Sequence, residues 1–341
     1  MNGKVSSCWL TLNRACNLNC HWCYAKNATK QNMAASNAIK VIDFLPQIGV
    51  ESIILIGGEP TVYQDLPLIL QEGKKNQLDI GIVTNGVRLK DDRYLSLLIE
   101  KGVSHFGVSL KGYNRSSFIE TTGYDRYDDV LYSIFNLAQS GIPFSVSFVL
   151  TKDNIPNIHL GIADAIKAGA KRVRLSFCYD FEVCRSDVCT IENPFTLAKL
   201  FMQYYPMINE ACGGNMGLFQ SLPFCVWDPQ FIELLDSRNQ LTSVCQVLQR
   251  NGLVIDTDMS IIPCNAMYDY KIGVFGTDFN DGKSFNEYWN SKDIVGFYNK
   301  LRALPDVTCE KCKTYQNCGG GCVSNWFNYS FEELMSMKDN A

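Results

Sequence analysis

Three thiols crowd one short stretch of this chain: Cys16, Cys20 and Cys23 in "RACNLNCHWCYAKN", residues 14–27. A second cysteine-rich stretch, "CEKCKTYQNCGGGC", places Cys309, Cys312, Cys318 and Cys322 near the other end, with Cys245 and Cys264 upstream. Cys8, Cys178, Cys184, Cys189, Cys212 and Cys225 are scattered between the two poles. Thiolates ligate zinc and iron–sulfur clusters. In a reducing compartment disulfides do not persist, so clustered cysteines point to metal. A four-iron cube takes four ligands; the first stretch fills three corners and leaves one iron open. A zinc knuckle completed by His21 uses the same donor types, as does a zinc ribbon at the second pole.

A second group of residues follows on the next apolar run. "IGGEP", residues 56–60, offers two glycines that let backbone approach a ligand closely and a carboxylate, Glu59, able to pair with an ammonium group. "TNG" (84–86) and "SLKG" (109–112) end two further runs. Lys152 stands in "TKDN" after the fifth. His105 and His159 have no partner motif and read as structural.

Something must bring these segments to one place. Between residues 8 and 176 β-like apolar runs alternate with helical stretches about six times: 8–13, 52–57, 79–84, 103–110, 144–150 and 171–177. That alternation predicts a parallel α/β sheet of right-handed βαβ units, two repeats short of an eightfold barrel. In such sheets ligands bind at the carboxyl ends of the strands, where the motifs lie. The amphipathic stripes of 91–102 and 127–141 are core faces. From 178 to 240 four prolines and "CGGN" predict loops around one helix near 195–210. Beyond it a β-hairpin turns at 256–259, a helix spans 284–301, and a last helix closes the chain. The expected organisation is a core at 1–177, a bridge at 178–240 and a cysteine-rich module at 241–341.

The chain has 341 residues, 46% apolar and 19% charged, with a net charge of -4, which excludes a disordered chain and a polyanion-binding surface. No run near the start has the length of a signal peptide or membrane span. We therefore expect a cytoplasmic protein with no nucleic-acid or membrane partner.

The CxxxCxxC spacing just after the first strand, with GGEP on the second, resembles the radical S-adenosylmethionine (SAM) superfamily. The resemblance implies a partial (β/α)6 TIM-like barrel whose open iron chelates the amino and carboxylate groups of SAM. Electron transfer from the cluster then yields a 5'-deoxyadenosyl radical that abstracts a substrate hydrogen atom. It further implies that Gly57, Gly58 and Glu59 hold the SAM amino group and that the backbone of Trp22 lies against the adenine. Thr84, Asn85 and Ser109 become pocket residues, and Lys152 a partner for the SAM carboxylate. Relatives often carry an acid where Lys111 stands. The second pole resembles the SPASM extension, or the shorter twitch domain, which carry auxiliary iron–sulfur clusters. Here no cysteine follows Cys322. Two partitions stay open: one cluster on Cys245, Cys264, Cys309 and Cys312, or two clusters sharing all six cysteines, with Cys225 recruited or an iron left open. Cys178, Cys184 and Cys189 are inert thiols or hydrogen-atom donors. The resemblance favours modification of a ribosomally made peptide by crosslinking, thioether formation or epimerisation. The alternative is dehydrogenation of a small aminocyclitol or sugar alcohol. Either needs a reductase or flavodoxin-type electron donor, and the first a separate peptide-recognition protein or direct peptide binding.

Overall fold

The computed structural model describes every residue except 1–3, 26–27, 179–191, 220, 243–244, 304–305 and 341, with only the backbone at 340. Six strands carry the predicted runs: β1 (Ser7–Asn13), β2 (Ser52–Gly57), β3 (Asp79–Thr84), β4 (His105–Ser109), β5 (Phe144–Leu150) and β6 (Val173–Phe177). Each pairs in parallel with the next. Leu10, Leu12, Ile53, Leu55, Ile80, Ile82, Val108, Val146 and Leu175 are fully buried and share one face of the sheet, while Trp9, Ile54, Val83 and Val149 on the other face are half-buried. The covering helices are α1 (Ala35–Phe44), α2 (Leu66–Lys75), α3 (Asp92–Lys101), α4 (Arg115–Thr122), α5 (Tyr127–Ser140) and α6 (Ile158–Lys167). Local sequence sets their ends. Asp91 caps α3 by accepting from the Arg93 and Tyr94 N–H groups, and Gly102 ends it at φ 118°.

The region expected to be loops contains more order. α7 (Pro194–Ala211) is the predicted helix, but Pro206 lies inside it instead of breaking it. The apolar face of Phe195, Leu197, Phe201, Tyr205 and Ile208 is buried, and that packing outweighs the one backbone bond a proline removes. Two short strands, β7 (Met216–Phe219) and β8 (Leu241–Thr242), flank α8 (Pro229–Ser237) and continue the sheet in parallel beyond β6. At four and two residues they are too short to leave a readable pattern. From β1 to β8 the sheet thus runs through eight parallel strands, yet among the described residues it stays open. β9 (Gly252–Ile255), the first arm of the predicted hairpin, takes the free edge of β1, with Cys8 opposite Leu253. β10 (Ser260–Ile262) and β11 (Gly273–Val274) follow antiparallel. The order is β11-β10-β9-β1-β2-β3-β4-β5-β6-β7-β8. The helix predicted at 284–301 is two, Gly282–Trp289 and Lys292–Ala303, broken after Asn290, where the Ser291 N–H donates to Tyr288 O at 3.0 Å in a tightened last turn. No helix among the described residues is long and apolar enough to cross a membrane.

Candidate active site

Parallel strands send all their carboxyl ends to one edge, and the loops there build the site. The three-cysteine loop leaves β1 at Asn13 and is pinned from outside by α4. The last carbonyls of a helix lack intrahelical partners. Here Thr122 O accepts from the Asn19 N–H at 3.0 Å and Thr121 O from the His21 N–H at 3.1 Å. A tight turn brings the Cys23 N–H to Cys20 O at 3.2 Å. From the other side the loop is held by β2: the Gly58 N–H donates to Asn13 O and the Glu59 N–H to Ala15 O, both at 2.8 Å. This approach explains the two glycines. A Cβ on Gly57 would sit 2.1 Å from Asn13 Oδ1, and one on Gly58 would sit 2.4 Å from Ala15 O. Both serve packing against the cysteine loop, a role the sequence reading had given to ligand approach alone.

Glu59 is buried, 1% exposed, and its carboxylate is occupied by protein donors. Oε1 accepts from the Thr61 N–H at 3.1 Å, the Thr61 hydroxyl at 2.7 Å and the Thr84 hydroxyl at 2.6 Å. Oε2 accepts from the Asn85 N–H at 2.6 Å. Burial nevertheless outweighs these bonds and raises the pKa of the carboxyl. The Asn85 side chain continues the network, donating to Asn17 Oδ1 at 2.7 Å and lying 3.8 Å from the Cys16 sulfur. GGEP, TNG and the cysteine loop are thus one hydrogen-bonded unit.

The unit faces a cavity of about 620 Å³. Cys16, Cys20, Cys23, Trp22, Gly57, Gly58, Glu59, Thr84, Asn85 and Ser109 all line it, as do Lys111 and Cys178. Lys152 does not line it; its backbone N–H donates to the Glu192 carboxylate from the loop after β5. Cys184 and Cys189 lie outside the described residues. Burial pushes the Cys16 thiol up to about 11 and also raises Cys20, on which the Lys111 ammonium acts in the opposite direction. Thiols so shifted are protonated near neutrality and release protons when they ligate. Arg14 and Asn265 line the cavity as well, and sequence reasoning missed both. The Arg14 guanidinium is buried, pairs with Asp256 at 2.7 Å and lies over the Tyr268 ring at 5.6 Å, tying the cysteine loop to the β9–β10 turn. Its adjacency to the first cysteine was the one available signal. His105 contacts the Ser104 hydroxyl at 3.1 Å at the amino end of β4, away from the strand's carboxyl end, and neither it nor His159 lines the cavity.

The model of the "Radical SAM superfamily" matches residues 10–159, the stretch that carries β1 to β5 and every loop just described. Residues 10–159 belong to the radical SAM superfamily of enzymes. The chain is 32% identical over 170 residues to a protein named probable GTP 3',8-cyclase of Sulfurisphaera tokodaii, a match covering 49% of this chain and 54% of that one. A protein of the same name from Metallosphaera sedula is 32% identical over 150 residues, 42% and 47% of the two chains. The chain thus spans about half the length of these curated relatives. Among solved structures, Streptococcus suis SuiB bound to precursor peptide SuiA superposes with a TM-score of 0.73 at 18% identity, covering 96% of this chain and 74% of that one. Native anSMEcpe with bound AdoMet and Kp18Cys peptide gives 0.69 at 17% identity, covering 98% and 99%. These likenesses extend the shared fold past the radical SAM domain into the C-terminal region.

In that region the cysteines fall into two neighbourhoods. Cys245, Cys264 and Cys322 are one: burial pushes Cys264 up to about 11 and Cys322 up to about 12, and in both the neighbouring thiols add to the shift. Cys309, Cys312 and Cys318 are the other, lining a second cavity of about 620 Å³. Among the described residues no three His, Cys, Asp or Glu side chains are arranged to hold a single metal ion. All-sulfur donor sets of this kind suit an iron–sulfur cluster and structural zinc alike. Asn265 and Ala266, next to Cys264, reach the rim of the radical SAM cavity and link the two regions.

Proposed function

We propose that this chain is a radical SAM enzyme of the SPASM or twitch type that abstracts a hydrogen atom from a peptide. The observation that carries the reading is the single cavity rimmed by Cys16, Cys20 and Cys23 and walled by Glu59, Asn85 and Ser109. When bound there, a four-iron cluster and SAM would supply the reductively generated radical. The chain's own work is positioning and exclusion of water. The three thiols would hold the cluster, with Asn85 fixing the loop that carries Cys16. Glu59 and the β2 end would receive the SAM amino group, while Thr84, Ser109 and the backbone of Trp22 bound the pocket. Lys111 adds a positive charge beside Cys20, where relatives often have an acid.

The C-terminal cysteines would hold one or two auxiliary clusters that accept the electron left on the substrate. Two structural neighbours contain bound peptides, SuiA in SuiB and Kp18Cys peptide in anSMEcpe, and that supports a peptide substrate. Crosslinking, thioether formation and epimerisation all begin from the same abstraction. A cytosolic location would supply the reductase or flavodoxin-type donor and any separate peptide-recognition protein. The identity to proteins named GTP 3',8-cyclase favours a small-molecule substrate instead, but it spans only 49% of this chain. The test incubates reconstituted, dithionite-reduced protein and SAM with a fully deuterated synthetic copy of a short precursor peptide encoded beside the gene, and in parallel with deuterated GTP and a deuterated aminocyclitol. Deuterium should appear in 5'-deoxyadenosine from the peptide; transfer only from a small molecule refutes the peptide reading.

A further inference from the structure

The run CxxCxxxxxCxxxC looks like one quartet of ligands, yet the fold divides it. Cys309, Cys312 and Cys318 come from two helical turns, Val307–Glu310 and Tyr315–Cys318, and from the residue between them. The Cys312 N–H donates to Cys309 O at 3.1 Å and the Cys318 N–H to Thr314 O at 2.8 Å, which fixes their spacing. After Cys318 the chain turns away through three glycines with left-handed φ between 56° and 79°. Cys322 is thereby carried out of the second cavity, which Cys309, Cys312 and Cys318 line and Cys322 does not.

The vacated corner is filled from elsewhere in the chain. Cys225 lies in the turn Phe224–Val226, before α8, and lines the second cavity together with Cys309, Cys312 and Cys318. Its segment is bound to the cysteine-rich run at several points. The Cys322 N–H donates to Ser221 O at 2.8 Å, and the Asn325 side-chain amide to the same oxygen at 2.9 Å. The Phe224 N–H donates to the Cys318 sulfur at 3.2 Å, a bond that favours a thiolate. Gly321 permits this contact: at φ 74°, a Cβ there would stand 2.6 Å from Ser221 O and 2.8 Å from Pro223 N.

We propose that Cys225 is the fourth ligand of a four-iron cluster with Cys309, Cys312 and Cys318. This rests on the iron–sulfur reading of the C-terminal region. Ligation moves no electrons; each thiol gives its proton to solvent as its sulfur binds iron.

The test uses the full chain with Cys16, Cys20 and Cys23 all changed to Ala, reconstituted anaerobically with iron and sulfide. It should hold iron and sulfide in its C-terminal region. Adding Cys225→Ala opens the cluster held by Cys309, Cys312 and Cys318, so mild oxidation should add a three-iron EPR signal or the iron should fall by about four per chain, whereas Cys178→Ala should change neither. Independently, in the reconstituted chain with Cys225 intact, iodoacetamide should label Cys225 only after cluster removal, as read by peptide mass spectrometry. Unchanged iron and EPR in the Cys225→Ala protein, or equal labelling of Cys225 with and without clusters, overturns the ligand assignment and leaves the iron–sulfur reading standing. No iron in the starting variant, or zinc in its place, overturns both.

Discussion

The Glu59 carboxylate should couple SAM binding to proton release. Its two oxygens offer about four acceptor sites. Three donors already sit on Oε1 and one on Oε2, so a single position on Oε2 remains for an incoming ammonium. One charge-assisted hydrogen bond contributes about 1.5–3 kcal/mol, a factor of about 10–150 in affinity. Without SAM, burial raises the Glu59 pKa, so the carboxyl takes up its proton at a higher pH than an ordinary glutamate does. A bound cation favours the ionised form and lowers that pKa. Binding then expels a proton below the raised pKa. Affinity should rise with pH up to that pKa and level off above it. Calorimetry in two buffers of different ionisation enthalpy reads the proton directly. Glu59→Gln should weaken SAM binding by the stated factor and abolish both the proton release and the pH slope. The amide also sets an N–H against a donor, the Asn85 N–H or that of Thr61, so the variant's apoprotein must first be shown folded by circular dichroism. A folded Gln variant with unchanged affinity and the same pH slope refutes the role.

Two further outcomes follow from the geometry. Gly58→Ala should destabilise the apoprotein by about 1–3 kcal/mol, because its Cβ would meet two backbone carbonyls, while Gly296→Ala, with nothing within 4 Å, should not. Urea midpoints of the two variants measure this, and equal midpoints refute the packing role. In the apoprotein the Cys16 thiol is held up at about 11, whereas the Thr314 hydroxyl holds Cys312 below the ordinary thiol value. Iodoacetamide at pH 8 should label Cys312 faster than Cys16, and Cys16 about tenfold faster at pH 9 than at pH 8; equal rates for the two thiols contradict these shifts.

What the sequence made legible follows period and type. The strands ending at Asn13, Gly57 and Thr84 are uninterrupted apolar runs closed by chemically distinctive residues, so both the element and its motif could be read. β7 and β8 could not, because two to four residues carry no period and their pairing is decided by β6. Pro206 misled for a related reason: a breaker acts locally, and the burial that overrules it is tertiary. The cavity residues Arg14 and Asn265 are meaningful only once the hairpin docks on β1, a contact across more than two hundred positions. Lys152 has a loop position that suits a ligand contact, yet only the course of the backbone shows that it stands away from the cavity.

The central claim is that three thiols on the loop after β1 serve SAM cleavage. Anaerobically reconstituted protein with dithionite and SAM, analysed by liquid chromatography and mass spectrometry, should produce 5'-deoxyadenosine. The variant with Ala at Cys16, Cys20 and Cys23 should produce none while keeping the iron of its C-terminal region. Undiminished 5'-deoxyadenosine from that variant would contradict the account.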